Sequence, residues 1–103
     1  MTFGAGEVYY TSNVTEDEAR KLGDYLLKNR FFNHQDQRSI QLDRAGRTYL
    51  FRVVVQKGKD QDRTFDRIAE TFAKILSREV FRGEPVDTHV CDERLRTLRV
   101  IRW

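Results

Sequence analysis

Residues 39–56, SIQLDRAGRTYLFRVVVQ, contain the two strongest strand signals of the chain and the turn between them. From Ser39 to Asp43 polar and apolar residues alternate, which is the period of a strand with one buried face. Ala45-Gly46 supplies a turn, and the alternation resumes from Thr48 to Gln56. We therefore predict a β-hairpin whose buried face carries Ile40, Leu42, Tyr49, Phe51, Val53 and Val55.

Upstream of the hairpin, a short strand precedes a helix with a strong start signal. Glu7 to Thr11 is rich in β-branched and aromatic residues, which favour strands. Thr15 and Glu18 have the spacing of a capping box, in which each side chain bonds the backbone amide of the other residue. Asn29 is predicted as a left-handed C-terminal cap. The buried stripe of this helix is Ala19, Leu22, Gly23 and Leu26, and Phe31 and Phe32 are expected to fold back onto the core.

A second helix is predicted after the charged loop from Lys57 to Arg63. Asp60 and Asp62 are the two candidates for its N-cap, because a short carboxylate side chain can accept from the first free amides. The apolar residues that follow recur at helical spacing and make one broad stripe. This stripe consists of Phe65, Ile68, Ala69, Phe72, Ile75 and Leu76.

Two further strands are predicted after the second helix. Gly83 is a natural residue for the position after a helix end, and Pro85 prevents the helix from continuing. Val86 to Cys91 then alternates as a strand. Leu95 to Ile101 is predicted as the last strand, although the spacing of Leu95, Leu98 and Ile101 leaves a helix as the alternative.

The order of these elements predicts the fold class. A strand, helix, strand, strand, helix, strand series is the α+β plan of a ferredoxin-like βαββαβ sandwich, here with an extra C-terminal strand. Both helices are expected on one face of an antiparallel sheet. The length of 103 residues suits one domain over residues 1–103, with residues 1–6 flexible.

The composition limits the cellular compartments in which the chain is expected. Cys91 is the one cysteine, which excludes an intrachain disulfide and favours a reducing compartment. No stretch approaches the roughly twenty apolar residues of a membrane span. We predict a cytoplasmic location, with a soluble domain of a larger membrane-anchored protein as the alternative.

The sequence contains none of the familiar catalytic or phosphate-binding motifs, so no cofactor and no catalytic residue is assigned. One cluster combines residue types that can bind a metal ion or act as a nucleophile and base. Alternation along the predicted strand puts Asp87, His89 and Cys91 on one face, about 7 Å apart. A zinc site or a Cys-His nucleophile pair is the functional interpretation, and a half-polar outer strand face is the structural one.

The sheet face opposite the helices is the predicted contact surface. It is expected to carry Tyr9, Thr11, Leu50, Arg52 and Val54, a mixture of aromatic, aliphatic and cationic side chains. A non-enzymatic interaction or ligand-binding module follows as the leading functional hypothesis, with a protein partner or a second copy of the chain on this face.

Nucleic acid is an alternative partner for the same face. RNA-recognition modules with this topology stack bases on aromatic side chains of the central strands. The stretch from Gly46 to Val54 lacks the pattern of those modules, however, and its aromatic residues Tyr49 and Phe51 are predicted to be buried.

The end of the chain is the basic part of the molecule, whose net charge is +3. Cations interspersed along an edge strand discourage pairing between sheet edges, which is the structural interpretation. The functional one is an anchor for an acidic partner, because arginine and tryptophan are favoured at interfaces. The residues concerned are Arg96, Arg99, Arg102 and Trp103.

The chain resembles an uncharacterised group of bacterial domains. The likeness rests on residues 8–11, on Val14-Thr15-Glu16 with Glu18-Ala19 and Leu22-Gly23, and on Phe31-Phe32. It extends over most of the chain and implies no activity. The cell-wall-binding SPOR domains share the order of strands and helices, but their repeated Val-x-x-Gly-x-Phe signature is missing.

Overall fold

The computed structural model describes residues 1–55 and 63–103. The predicted end of the hairpin at Gln56, the charged loop from Lys57 and the two N-cap candidates Asp60 and Asp62 lie outside these ranges. None of the helices in the described ranges has the length and apolar character needed to cross a bilayer. The elements are β1 (Thr2–Phe3), β2 (Gly6–Tyr10), α1 (Glu16–Lys28), β3 (Arg38–Ala45), β4 (Thr48–Val54), α2 (Arg63–Glu79), β5 (Val86–Cys91) and β6 (Thr97–Ile101).

The strands form one open mixed sheet in which their order follows the chain, from β1 to β6. The α+β class and the predicted series of strands and helices are confirmed. The antiparallel sheet is wrong at two pairings, since β2 with β3 and β4 with β5 are parallel. Each helix returns the chain to the end of the sheet at which the strand before it began. The next strand therefore runs parallel to that strand and pairs directly with it. In the split βαβ units of the ferredoxin-like plan, another strand would lie between them.

Both helices lie on the same face of this sheet, which we call the helix face. Tyr49 and Phe51 are two residues apart in β4 and therefore point the same way. The Tyr49 hydroxyl donates to Glu18 of α1, and the Phe51 ring lies 6.0 Å from that of Phe72 in α2. The hydrophobic core fills the space between the sheet and the two helices.

The two helical crossovers have opposite hands. β2 and β4 run in opposite directions because β3 and β4 are antiparallel, yet both crossovers step the same way across the sheet. With both helices on one face, one crossover is necessarily left-handed. This arrangement is rare, because the twist of a strand favours a right-handed return.

The start of α1 confirms the predicted capping box. The Thr15 amide donates to Glu18 Oε1 at 2.8 Å, and the Glu18 amide donates to Thr15 Oγ1 at 3.1 Å. The predicted left-handed cap lies one residue later than expected. Asn29 has a φ of −97°, whereas Arg30 has a φ of 65° and turns the chain back so that Phe32 enters the core.

Residues 1–6, which we expected to be flexible, instead add β1 to the edge of the sheet. Phe3 is only 8% exposed, and its ring rests on Gly23 of α1 so closely that a Cβ there would lie 2.2 Å from it. The Met1 ammonium donates to the Val8 carbonyl oxygen at 3.0 Å. Phe3 alone is a weak sequence signal, because a single apolar residue has no period.

The buried stripe of α2 is rotated from the predicted one. Ala69, Ala73 and Leu76 face the sheet, because small side chains allow the helix to approach it closely. Ile68, predicted to be buried, is 63% exposed. Periodicity identified an amphipathic helix correctly, but an apolar stripe this broad does not define which of its edges meets the sheet.

The last element is a strand, as predicted, and not the alternative helix. β6 pairs antiparallel with β5, with an irregular register between Val90 and Cys91. The turn before it is organised by Asp92, whose Oδ1 accepts from the backbone amides of Arg94 and Arg96 at 2.9 Å each. The chain therefore returns directly beside β5 to form the sheet edge.

Candidate functional site

The face of the sheet opposite the helices is the candidate functional site, and we call it the open face. The strand register aligns its side chains in rows that cross the sheet. The central row contains one residue from each of β2 to β6. Its members, in order, are Tyr9, Gln41, Arg52, His89 and Val100.

Apolar side chains on the open face are interleaved with polar ones. Tyr9 is 47% exposed at one end of the central row, and Val100 is half-buried at the other. Leu50 and Val54 are half-buried on β4. The predicted grouping of Tyr9, Leu50 and Val54 on one face agrees with the register, and Thr11 and Arg52 lie on the same face.

Arg52 lies at the centre of the open face, between Gln41 and His89. Its guanidinium donates to the backbone oxygen of Leu95 in the β5–β6 turn. Its Nε is buried and has no hydrogen-bond partner in the described ranges. Burial and then the charge of Arg52 lower the pKa of His89, so this ring is neutral near pH 7.

Asp43, in β3, neighbours the centre of the open face and accepts hydrogen bonds mainly from the connection between β2 and α1. Its Oδ1 accepts from the Thr11 hydroxyl at 2.6 Å, the Asn13 amide at 3.0 Å and the Arg44 backbone at 2.8 Å. Burial opposes ionisation, but these hydrogen bonds outweigh it and lower the pKa of Asp43. The carboxylate is therefore charged, with its Oδ1 engaged by three donors, and it also interacts with the charge of Arg52.

The Asp87, His89 and Cys91 cluster lies on the open face but does not converge. Cys91 is fully buried, its Sγ is 3.5 Å from the His89 carbonyl oxygen, and burial raises the pKa of its thiol. Asp87 accepts from the Trp103 amide at 2.8 Å, and His89 Nδ1 lies 3.1 Å from Thr97 Oγ1. Among residues 1–55 and 63–103, no three His, Cys, Asp or Glu side chains are placed to hold a metal ion.

The arginines near the end of the chain lie in different parts of the structure and have different partners. Arg99 lies on the helix face, where it pairs with Asp66 of α2 at 2.6 Å. Arg96 pairs with Asp92 at 2.8 Å in the turn before β6, and Arg102 lies 3.8 Å from Asp87. These three arginines therefore do not form one cationic surface with Arg52.

Trp103 lies on the helix side of the sheet edge and is 50% exposed. The Lys74 ammonium sits 5.0 Å from the centre of its ring. Beside it is a cavity of about 250 Å³ lined by Glu70, Ala73, Lys74, Ile101, Arg102 and Trp103. The predicted interaction residues thus belong to two separate surfaces.

A polar network beneath α1 was not evident from the sequence. The Tyr49 hydroxyl donates to Glu18, Arg44 Nη1 lies 3.9 Å from Glu18 Oε2, and the Arg44 guanidinium sits 4.7 Å from the Tyr49 ring centre. Burial and the bond to Glu18 raise the pKa of Tyr49 to about 12. Burial opposes ionisation of Glu18, but its hydrogen bonds lower the pKa of that carboxyl. The capping box explained Glu18 completely, so no local signal indicated a second role.

Comparison with known proteins identifies one relationship. A family model described as a family N-terminal domain matches residues 1–102. No curated protein and no solved structure matches the chain. The resemblance to an uncharacterised domain family, expected from residues 8–32, is confirmed, and that family has no assigned activity.

Proposed function

Because the chain belongs to an uncharacterised family of N-terminal domains, we propose a function from its surface: a protein-binding module that takes its partner on the open face. The observation that carries this proposal is the asymmetry of the sheet. Both helices cover one face, whereas the other bears the exposed Tyr9 with Leu50, Val54 and Val100. Exposed apolar groups mixed with polar ones are typical of contact surfaces.

The family description supports a role beside another domain. A module of this size with one uncovered sheet face suits a chain in which a neighbouring domain carries a separate activity. The enzymatic alternative has less support, because Cys91 is buried, its thiol pKa is raised, and Asp87 is engaged by the backbone of Trp103.

The test compares two adjacent tyrosines on opposite faces of β2. Tyr9 is on the open face with 47% exposure, and Tyr10 is on the helix face with 40%. Peptides selected from a displayed random library would be measured by fluorescence anisotropy against the unchanged protein and both variants. We expect Tyr9→Ala to weaken binding by about tenfold or more, as for an aromatic anchor, and Tyr10→Ala by less than about twofold.

Amide chemical-shift mapping of the selected peptides supplies the control. Changes confined to β2–β6 residues of the open face support the proposal. Changes centred on the α2 surface, or equal losses from both tyrosine variants, would refute it. Sedimentation velocity over a range of protein concentrations tests a second copy as the partner, since a dimer through this face should dissociate in Tyr9→Ala and persist in Tyr10→Ala.

A further inference from the structure

Arg52, at the centre of the open face, makes no direct ion pair with a carboxylate of the described residues. Three arginines in the described ranges are half-buried: Arg44, Arg52 and Arg99. Arg44 lies 3.9 Å from Glu18, and Arg99 lies 2.6 Å from Asp66. Arg52 has a backbone oxygen as its acceptor and forms no ion pair with a described carboxylate. A partly desolvated cation is costly unless an anion compensates it.

The acids nearest to Arg52 have other partners. Asp43 feels the charge of Arg52, but its Oδ1 is occupied by Thr11, Asn13 and the Arg44 amide. Asp87 is engaged by the end of the chain. The bonds to Asp43 all go to its Oδ1, and the charge of this carboxylate interacts with that of Arg52 from the next row. Arg52 therefore has an interacting carboxylate nearby but no carboxylate in direct contact among the described residues.

We propose that the partner presents one carboxylate to Arg52, within a protein segment whose apolar side chains contact Tyr9 and Val100. This inference rests on the proposed function and specifies the chemistry of the partner. The guanidinium offers several donors in a plane, which suits a carboxylate. Gln41 and His89 flank Arg52 in the same row and add hydrogen-bonding groups on either side.

The register defines the spacing of such a segment. Tyr9 and Val100 each lie two strands from Arg52, or about 10 Å, because neighbouring strands are roughly 4.8 Å apart. A segment in the polyproline-II conformation has three residues per turn and advances about 3.1 Å per residue, so residues three positions before and after the acid share its face and lie about 9–10 Å from it. The expected sequence pattern is an acidic residue with an apolar residue about three positions before it and another about three positions after it.

The charges on the open face favour a single carboxylate over a polyanion. Asp43 and Asp87 lie in the row next to Arg52, on β3 and β5, on either side of Leu50. A nucleic acid strand would bring several phosphates to this surface and would meet both carboxylates. One carboxylate can pair with Arg52 and leave the rest of the contact to neutral groups.

The experiment uses the displayed library on the intact chain and on Arg52→Gln, Arg52→Lys and Arg52→Glu. On the unchanged protein we expect peptides with the acid and apolar spacing described above. Replacing the peptide acid by its amide should weaken binding about tenfold or more, and this loss should disappear against Arg52→Gln. Arg52→Glu should select Lys or Arg at the same peptide position. Arg94→Gln, at an exposed site in the neighbouring turn, is the matched control and should leave the selection unchanged.

The outcomes separate this inference from the proposed function. Peptides that bind the open face without an acid requirement would refute the carboxylate and leave the binding face intact. Peptides that bind elsewhere would refute both. Tight binding of a labelled single-stranded oligonucleotide, lost in Arg52→Gln and steeply dependent on salt, would replace the carboxylate with phosphates. The amide substitution is made in the peptide, so its result does not depend on how well the Arg52 variants fold.

Discussion

The two faces of the sheet differ in their contacts, because both helices pack on one of them. On the helix face, Glu18 accepts from Tyr49 and pairs with Arg44 beneath α1, and an apolar core fills the space between the sheet and the helices. On the open face, Arg52 lies between Gln41 and His89 and donates to a backbone oxygen of the β5–β6 turn. Packing against the helices thus buries the core, and the open face is the surface on which we propose that a partner binds. The following substitutions test this difference.

The largest contrast is expected between two aromatic truncations. Phe32 is fully buried on the helix face, and Tyr9 is 47% exposed on the open face. Phe32→Ala should lower the free energy of unfolding by about 3–5 kcal/mol, through lost burial and the cavity left behind. Tyr9→Ala should change it by less than about 1 kcal/mol. Urea unfolding measures both, and similar losses would mean that the open face is a structural surface.

A second contrast concerns the network beneath α1 and its dependence on pH. Tyr49→Phe removes the hydroxyl that donates to Glu18 and should cost about 1–3 kcal/mol at neutral pH. The pKa of Tyr49 is about 12 in the folded chain against 10.0 for a free side chain, so the folded state holds this proton more tightly. Its contribution is complete below pH 10 and is lost as the pH rises toward 12. Urea midpoints between pH 8 and 12 should fall less steeply for the variant, and equal slopes would contradict the assignment.

The smallest effects are expected from threonine-to-valine changes on the two faces, which have opposite signs. Thr88 is buried on the helix face, and its Oγ1 has no hydrogen-bond partner in the described ranges. Thr88→Val should therefore be neutral or stabilise the chain by up to about 1 kcal/mol. The Thr11 hydroxyl donates to Asp43 at 2.6 Å, so Thr11→Val should destabilise by about 1 kcal/mol or slightly more. Thermal melting would measure both changes, and a loss from Thr88→Val would indicate an unidentified partner for that hydroxyl.

Local patterns were enough to identify most elements. Alternation around Ile40 and Phe51 identified the central hairpin, and the Thr15 and Glu18 pair located the start of α1. The two parallel pairings could not be identified in this way. Antiparallel and parallel strands have the same side-chain period, and pairing depends on where each helix returns the chain. The same limit explains Ile68, whose helical period was correct although its side of the helix was not.

For the open face, the sequence predicted which residues share the face but not how they align across neighbouring strands. Alternation assigned Tyr9, Thr11, Leu50, Arg52 and Val54 to a face away from the core, in agreement with the register. It did not indicate the row from Tyr9 through Arg52 to Val100, because alignment across strands depends on register. It also grouped the terminal arginines together, whereas Arg99 lies on the helix face with Asp66.

The amino-acid sequence by itself determined which segments form strands, which form helices and which side of each strand is apolar. These features depend on residues that are close together along the chain. Tertiary structure alone decided that strands joined by helices pair in parallel, that Glu18 meets Tyr49, and that Arg52 donates to the backbone of the β5–β6 turn. Each of these depends on groups far apart in sequence. Their energies arise only when the folded backbone brings them within a few ångströms of one another.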